Sequence, residues 1–165
     1  MTEKETAAVR EAARAEMPAV YLMGFDVWGE GKPEASYLEQ CGASPKYRTE
    51  RWYVLADGQG APLSSLVVYQ LGPGVAGIGS IATPPGLRRR GLAARLIKDI
   101  LELLAREGAK TVFLFSDIAP GYYEQFGFRI LPAEFQRYPG STCMAWGGPV
   151  SELLSSPGFS LPTYF

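Results

Sequence analysis

A chain of 165 residues, 47% hydrophobic and 20% charged, has the length of one domain (1–165) and the composition of a packed globular protein. Its 16 basic and 17 acidic residues leave a net charge of −1, which argues against a general nucleic-acid or membrane surface. There is no histidine, so every catalytic or zinc arrangement built on that residue is excluded.

The opening stretch lacks a basic segment followed by an apolar one. No run approaches the roughly 18 apolar residues of a membrane helix. Cys41 and Cys143 match no metal or redox spacing. The expectation is a cytoplasmic protein with two reduced thiols and no metal.

Local propensity alone makes residues 6–17 an Ala-rich helix. "GFDVWGEGKPEASYLEQCG" then reads as a loop and a short helix over residues 35–40. Two β-rich runs flank "ADGQGAP", whose Asp57-Gly58 pair is a hairpin turn signal. A second hairpin follows from "LSSLVVYQL", the turn "GPG" and "VAGIGSIAT". From Leu92 the pattern changes. Leu92, Leu96, Ile97, Ile100, Leu103 and Leu104 recur at helical spacing, charged residues take the other face, and Gly108 is a stop. "TVFLFS" has the form of a buried strand, so strand, helix and strand make a parallel crossover. A short helix in "GYYEQFG", a strand from Phe128 and another in "STCMAW" complete the chain. The fold class is α/β (in its α+β form), a mixed sheet with antiparallel strands first, a central parallel pair, and flanking helices.

The entrance to the long helix is locally unfavourable. Arg88, Arg89 and Arg90 stand where the helix dipole already places partial positive charge. Between Asp57 and Asp99 there is no Asp or Glu to pair with them. A solvated basic turn is the plain reading; an anion site is the favoured one. Helix N-termini offer unpaired N–H groups, Gly91 allows close approach, and guanidiniums suit phosphate. No Gly-x4-Gly-Lys-Ser/Thr loop is present, and "GIGSIA" is strand-like with no helix after it.

Arg88-x-x-Gly91-x-Ala93, after a strand and opening an amphipathic helix, resembles the Arg/Gln-x-x-Gly-x-Gly/Ala motif of the GNAT acetyltransferase superfamily. "YYEQFGF" is similar to that family's second signature, and "VREAARAEMPAVY" to its opening strand and helix. On that resemblance residues 7–12 become a strand against their propensity, with a helix starting near Pro18.

The resemblance implies acetyl-CoA as co-substrate, its pyrophosphate on the backbone of Arg88, Arg89, Arg90, Gly91, Leu92 and Ala93. Backbone groups of Ile81, Ala82 and Thr83 would bond the pantetheine, between splayed strands, and the Ile81 N–H would polarise the thioester carbonyl. Tyr123 takes the place of the family's general acid, with Tyr122 a packing aromatic. Some relatives carry a Glu base on the fourth strand, at the place aligned with Gly77. Asp117 is the best-placed alternative base here and equally suits a cap for the next helix, with Asp26, Glu50 or a water chain also open. Ser116 falls where many relatives have a pantetheine-binding Asn. Phe25, Asp26 and Trp28 lie in the loop that lines the acceptor pocket, though Phe25 and Trp28 equally suit a core role. The closing "FSLPTYF" is expected to pack on the sheet. The reading is an N-acetyltransferase acting on a primary amine of a small molecule, amino acid or peptide. The alternative is a non-catalytic acyl-CoA-binding module. No nucleic-acid or membrane partner is expected, and a homodimer is left open.

Overall fold

The computed structural model describes residues 2–148 and 150–165, apart from the side chains of Lys46 and Thr49. The elements in order are α1 (Glu3–Thr6), β1 (Ala8–Glu11), α2 (Met17–Leu22), α3 (Phe25–Trp28), α4 (Glu34–Ala43), α5 (Pro45–Thr49), β2 (Arg51–Ala56), β3 (Pro62–Gly72), β4 (Val75–Ala82), α6 (Leu92–Arg106), β5 (Thr111–Ser116), α7 (Gly121–Glu124), β6 (Arg129–Ile130), β7 (Thr142–Gly147) and α8 (Val150–Ser155). The strands form one mixed sheet in the order β1-β2-β3-β4-β5-β7-β6. Contacts group the chain into two compact units, Met1–Val68 with Ser80–Ile100, and Tyr69–Gly79 with Leu101–Phe165.

In the first unit, residues 6–17 are not a helix. Ala8–Glu11 pairs antiparallel with β2, from Ala8↔Ala56 to Glu11↔Tyr53. The ladder outweighs the weak alanine preference, as tertiary context routinely does. Arg10 adds a clamp: its guanidinium donates to both Glu16 carboxylate oxygens, at 2.6 and 2.9 Å, and to the Gly60 carbonyl at 2.7 Å. The β2–β3 turn forms where Asp57-Gly58 places it. Asp57 Oδ1 accepts from the amides of Gln59 and Ala61, both at 2.9 Å. Val54, Leu55, Leu66 and Val67, together with Leu96, Ile97 and Ile100 of α6, are sealed from water.

In the second unit, β4 and β5 run parallel, with Val75↔Thr111, Ala76↔Val112 and Gly77↔Phe113 in register. β5 continues along β7, antiparallel, out to Ser116↔Thr142. Val75, Phe113, Leu131, Cys143 and Ala145 form a buried cluster, and Phe115, Phe159, Leu161 and Phe165 pack on it. The buried stripe of α6 differs by one residue from the sequence expectation, since Leu101 is 4% exposed and Leu103 only partly buried. Among the described residues no helix is long and apolar enough to cross a membrane.

Candidate active site

After β4 the chain makes a short 3-10 turn, Pro85–Leu87, and then the basic turn. Arg89 and Gly91 both have positive φ, +64° and +73°. Glycine takes that conformation freely, whereas Arg89 takes it at a cost of the kind stored at functional sites. Among the described residues no backbone carbonyl receives the amides of Arg89, Arg90 or Gly91. The orphan donors of the first turn of α6 follow directly. The result is a run of N–H groups suited to an anion.

The guanidiniums are arranged differently from the sequence argument. Their partners are absent nearby but arrive from far along the chain. Arg88 donates to both oxygens of Asp26, each at 2.7 Å, and its Nε donates to the Thr83 carbonyl at 2.8 Å. The hydrogen bonds from Arg88, before its charge, hold the Asp26 carboxyl below its usual range. Arg90 meets Glu3 at 3.4 Å. Arg89 alone has no hydrogen bond or ion pair among the described residues. Lys4, which sequence reasoning passed over, brings its Nζ to 3.0 Å from the position a Cβ on Gly91 would take. Arg88 is thus a brace, while Arg89, Arg90 and Lys4 supply the positive charge at the turn.

The end of β4 is fixed from beneath. Ser64, fully buried, donates to the Ala82 carbonyl at 2.9 Å and shares a hydrogen bond with Thr83 Oγ1 at 2.9 Å. Ser80 lies in the left-handed region at φ +46°, with its hydroxyl 3.0 Å from that of Tyr47. Ile81, half-buried, comes next. Of the three expected acceptor residues, Asp26 is spent on Arg88, Phe25 packs on Tyr37 at 5.1 Å, and Trp28 borders a cavity with Ser80.

In the second unit, α7 carries Tyr122 and Tyr123. Tyr122 packs against Phe126 at 5.6 Å and Tyr123 against Phe128 at 6.3 Å. Burial, with smaller effects from Tyr122 and Asp117, pushes the Tyr123 hydroxyl up to about 12. Asp117 is exposed and accepts from the Tyr164 hydroxyl at 2.8 Å, and Pro120 occupies the cap position of α7. Ser116 is buried, its hydroxyl donating to the Ile118 carbonyl at 2.8 Å. A Cβ on Gly77 would collide with the ring of Phe165. That ring stacks at a tilt on Tyr69 at 4.6 Å and meets Phe115 edge-on at 5.1 Å. The closing segment therefore packs where a fourth-strand side chain would stand.

The model of the acetyltransferase (GNAT) family matches residues 8–128, which takes in the basic turn and the Tyr122-Tyr123 helix. The chain belongs to the GNAT acetyltransferase family. Among solved structures it is similar to the GNAT family N-acetyltransferase YhbS of Escherichia coli in complex with CoA, at 20% identity over 86% of this chain and 81% of that one, TM-score 0.64. It is also similar to a GCN5-related N-acetyltransferase from Kribbella flavida, at 21% identity over 87% and 98%, TM-score 0.63. A third similarity is to N-acetylglutamate synthase from Neisseria gonorrhoeae complexed with CoA and N-acetyl-glutamate. There identity is 15% over 85% of this chain and 34% of that one, TM-score 0.62. These likenesses show the fold. No curated protein matches the chain.

As a GNAT chain it has features that no local pattern reveals. Lys4, Tyr47 and Phe165 reach their places across long stretches of sequence, so neither period nor motif marks them. The nearest signal to Tyr47 was compositional, an aromatic excess between Tyr21 and Trp52.

Proposed function

We propose that this GNAT chain transfers an acetyl group from acetyl-CoA to a primary amine of a small molecule, amino acid or peptide, as one catalytic domain in the cytoplasm. The observation that carries the reading is the left-handed turn at Arg89–Gly91, whose unpaired amides open α6. Its donors and cations fit a diphosphate. CoA bound to YhbS, a protein of the same fold, supports the same co-substrate here. Parallel pairing of β4 and β5 ending at Gly77↔Phe113 supports the splayed pair of the family.

The bound thioester supplies an activated acetyl group. The chain's residues then divide the work. The Arg89–Ala93 backbone, with Arg89, Arg90 and Lys4, holds the pyrophosphate. Backbone groups of Ala82 and Thr83 orient the pantetheine, and Ser116, whose O–H donates to the Ile118 carbonyl, offers its oxygen as an acceptor. The Ile81 N–H polarises the carbonyl that gains negative charge. Tyr123 faces a departing thiolate whose acid has a pKa of about 8.5. From a phenol at about 12, complete proton transfer is uphill by about 5 kcal/mol. Its hydroxyl is therefore a hydrogen-bond donor to sulfur first and a proton source second. Asp117 is the base we assign, one oxygen held by Tyr164 and the other left for the amine.

The packing of Phe165 over Gly77 favours a second reading, a module that binds acyl-CoA without transferring it. Release of free CoA thiol, screened over small amines, amino acids and peptides, decides between them. Acetyl-CoA should also raise the unfolding temperature by mass action. An unmoved melting curve at saturating acetyl-CoA would overturn both readings.

A further inference from the structure

In the second unit the parallel pairing of β4 and β5 stops at Gly77↔Phe113, and one ring lies across the place where it stops. Phe165 packs beside both glycines at the far end of β4 in this unit. A Cβ on Gly77 would collide with its ring, and one on Gly79 would lie 3.6 Å from its Cδ2. On its other side the same ring meets Phe115 of β5 edge-on at 5.1 Å. Two positions without side chains thus admit a ring that spans both strands, and Tyr69 closes over it at 4.6 Å.

The segment that carries the ring is held by side chains. Residues 160–165 belong to no helix or strand, and among the described residues no backbone-to-backbone hydrogen bond ties them to one. Tyr164 is the fixed point. Its hydroxyl donates to Asp117 at 2.8 Å, and its ring meets Phe115 and Tyr138 at 5.4 and 5.7 Å. Phe165 is one residue beyond that anchor. Turning it about Tyr164 uncovers Gly77 and Gly79 and breaks no backbone-to-backbone hydrogen bond. Phe159 and Leu161, earlier in the segment, keep the cluster around Phe113 covered when the ring leaves.

In the acetyltransferase reading the gap between β4 and β5 holds the pantetheine. An acceptor amine then has to come within about 3–3.5 Å of the thioester carbon with Asp117 in reach. Phe165 covers one face of that gap, and its neighbour Tyr164 is bonded to Asp117, so the covered face is the one on the side of the base. We propose that Phe165 is a gate, closed across the gap in the free protein and turned aside when an acceptor amine enters. The inference rests on the acetyltransferase reading for the base and the gap. It also gives the packing over Gly77 a meaning other than lost catalysis, because a closed gate and an inactive module look alike in the free chain.

A closed gate lowers the apparent affinity for the amine by the fraction of chains that are open. The test follows thiol release from saturating acetyl-CoA with n-butylamine, 2-phenylethylamine and glycinamide as acceptors. With an open fraction of about 10% or less, Phe165→Ala should lower the amine KM at least about tenfold. The kcat and the KM for acetyl-CoA should stay at their parental values, a split that a loss of packing alone does not produce. Phe165→Leu keeps an apolar cover but cannot pair with Tyr69 as a ring, and should lower the amine KM by roughly threefold. It decides the matter if the Ala variant does not fold. Transfer that appears only in the variants would support the gate and remove the inactive-module reading. An amine KM that is parental or higher in both variants, or a fall in the KM for acetyl-CoA instead, would overturn the gate and leave the transferase reading standing. Thiol release by neither parent nor variants with any of the three amines would sink the transferase reading and the gate with it.

Discussion

Replacing Gly77 with Ala adds one methyl group at a position with no room for it. The new Cβ would touch Phe165 Cζ and lie 2.9 Å from its Cε2 and 3.2 Å from Leu71 Cδ1. The Phe165 ring cannot retreat freely, because Tyr69 and Phe115 hold it at 4.6 and 5.1 Å. Overpacking of this kind costs about 1–3 kcal/mol, against which Ala recovers about 0.5–1 kcal/mol over Gly in a strand. The net loss is at most about 2.5 kcal/mol and centres on about 1 kcal/mol, a fall of roughly 2–4 °C in Tm for a chain of this size. Phe165→Ala alone gives up a half-buried ring and two ring pairs, about 2–3 kcal/mol. With the obstacle gone, adding Gly77→Ala should cost nothing or stabilise. The two changes should therefore couple by about 1–3 kcal/mol in a double-mutant cycle followed by thermal unfolding. If Gly77→Ala melts at or above the parent temperature, or if the two effects add, Phe165 does not fill that face of β4.

Three further outcomes test the site and its frame. Tyr123→Phe should lower kcat by about 10²-fold while Tyr122→Phe keeps most activity; with the Tyr123 hydroxyl up at about 12, no alkaline fall in rate below pH 10 should depend on it, and one that vanished in the Phe variant would contradict the assignment. Arg89→Ala with Arg90→Ala should remove most of the Tm rise caused by acetyl-CoA, whereas Asp26→Asn should lower the Tm of the free protein and leave most of that rise; the reverse pattern would exchange their roles. Glu16 is held near 2, chiefly by its hydrogen bonds from Arg10, so its contribution is present above about pH 4.5 and lost as pH falls toward 2. Arg10 is 39% exposed, which limits that contribution to about 1 kcal/mol, and Glu16→Gln should flatten the acid limb of a Tm–pH profile by that amount.

The parts legible in the sequence were those whose cause is local. The 3.6-residue period of α6, the Asp57 turn and the apolar run of β5 each follow from neighbours a few residues apart. β1 was legible only through resemblance, because its helical propensity is overruled by a ladder with residues more than forty positions away. The basic turn was found, yet half of its argument was wrong. The missing carboxylates are Asp26 and Glu3, delivered by the fold. Lys4 at Gly91 and Tyr47 at Ser80 were invisible for the same reason, since each is a meeting of distant segments and distance along the chain erases periodicity; the closing segment was expected on the sheet and packs there, but its partner Gly77 was not legible.

Arg95 ties the beginning of the chain to the helix it guards. Its guanidinium donates to the carbonyls of Lys4 and Ala7, at 2.8 and 3.1 Å, and pairs with Asp99 one turn on. With Glu3 on Arg90 and Lys4 over Gly91, residues 3–7 form a clasp on the basic turn. Order in the clasp and occupancy of the turn are then thermodynamically linked, and the linkage is reciprocal. An anion that draws Arg90 from Glu3 but engages Lys4 exchanges one tether for another. Amide hydrogen exchange over residues 3–7 therefore becomes a reporter of binding at the turn. By the same reciprocity, if the turn holds the phosphates as proposed, cutting the clasp away by limited proteolysis should weaken that hold, though none of α6 is touched.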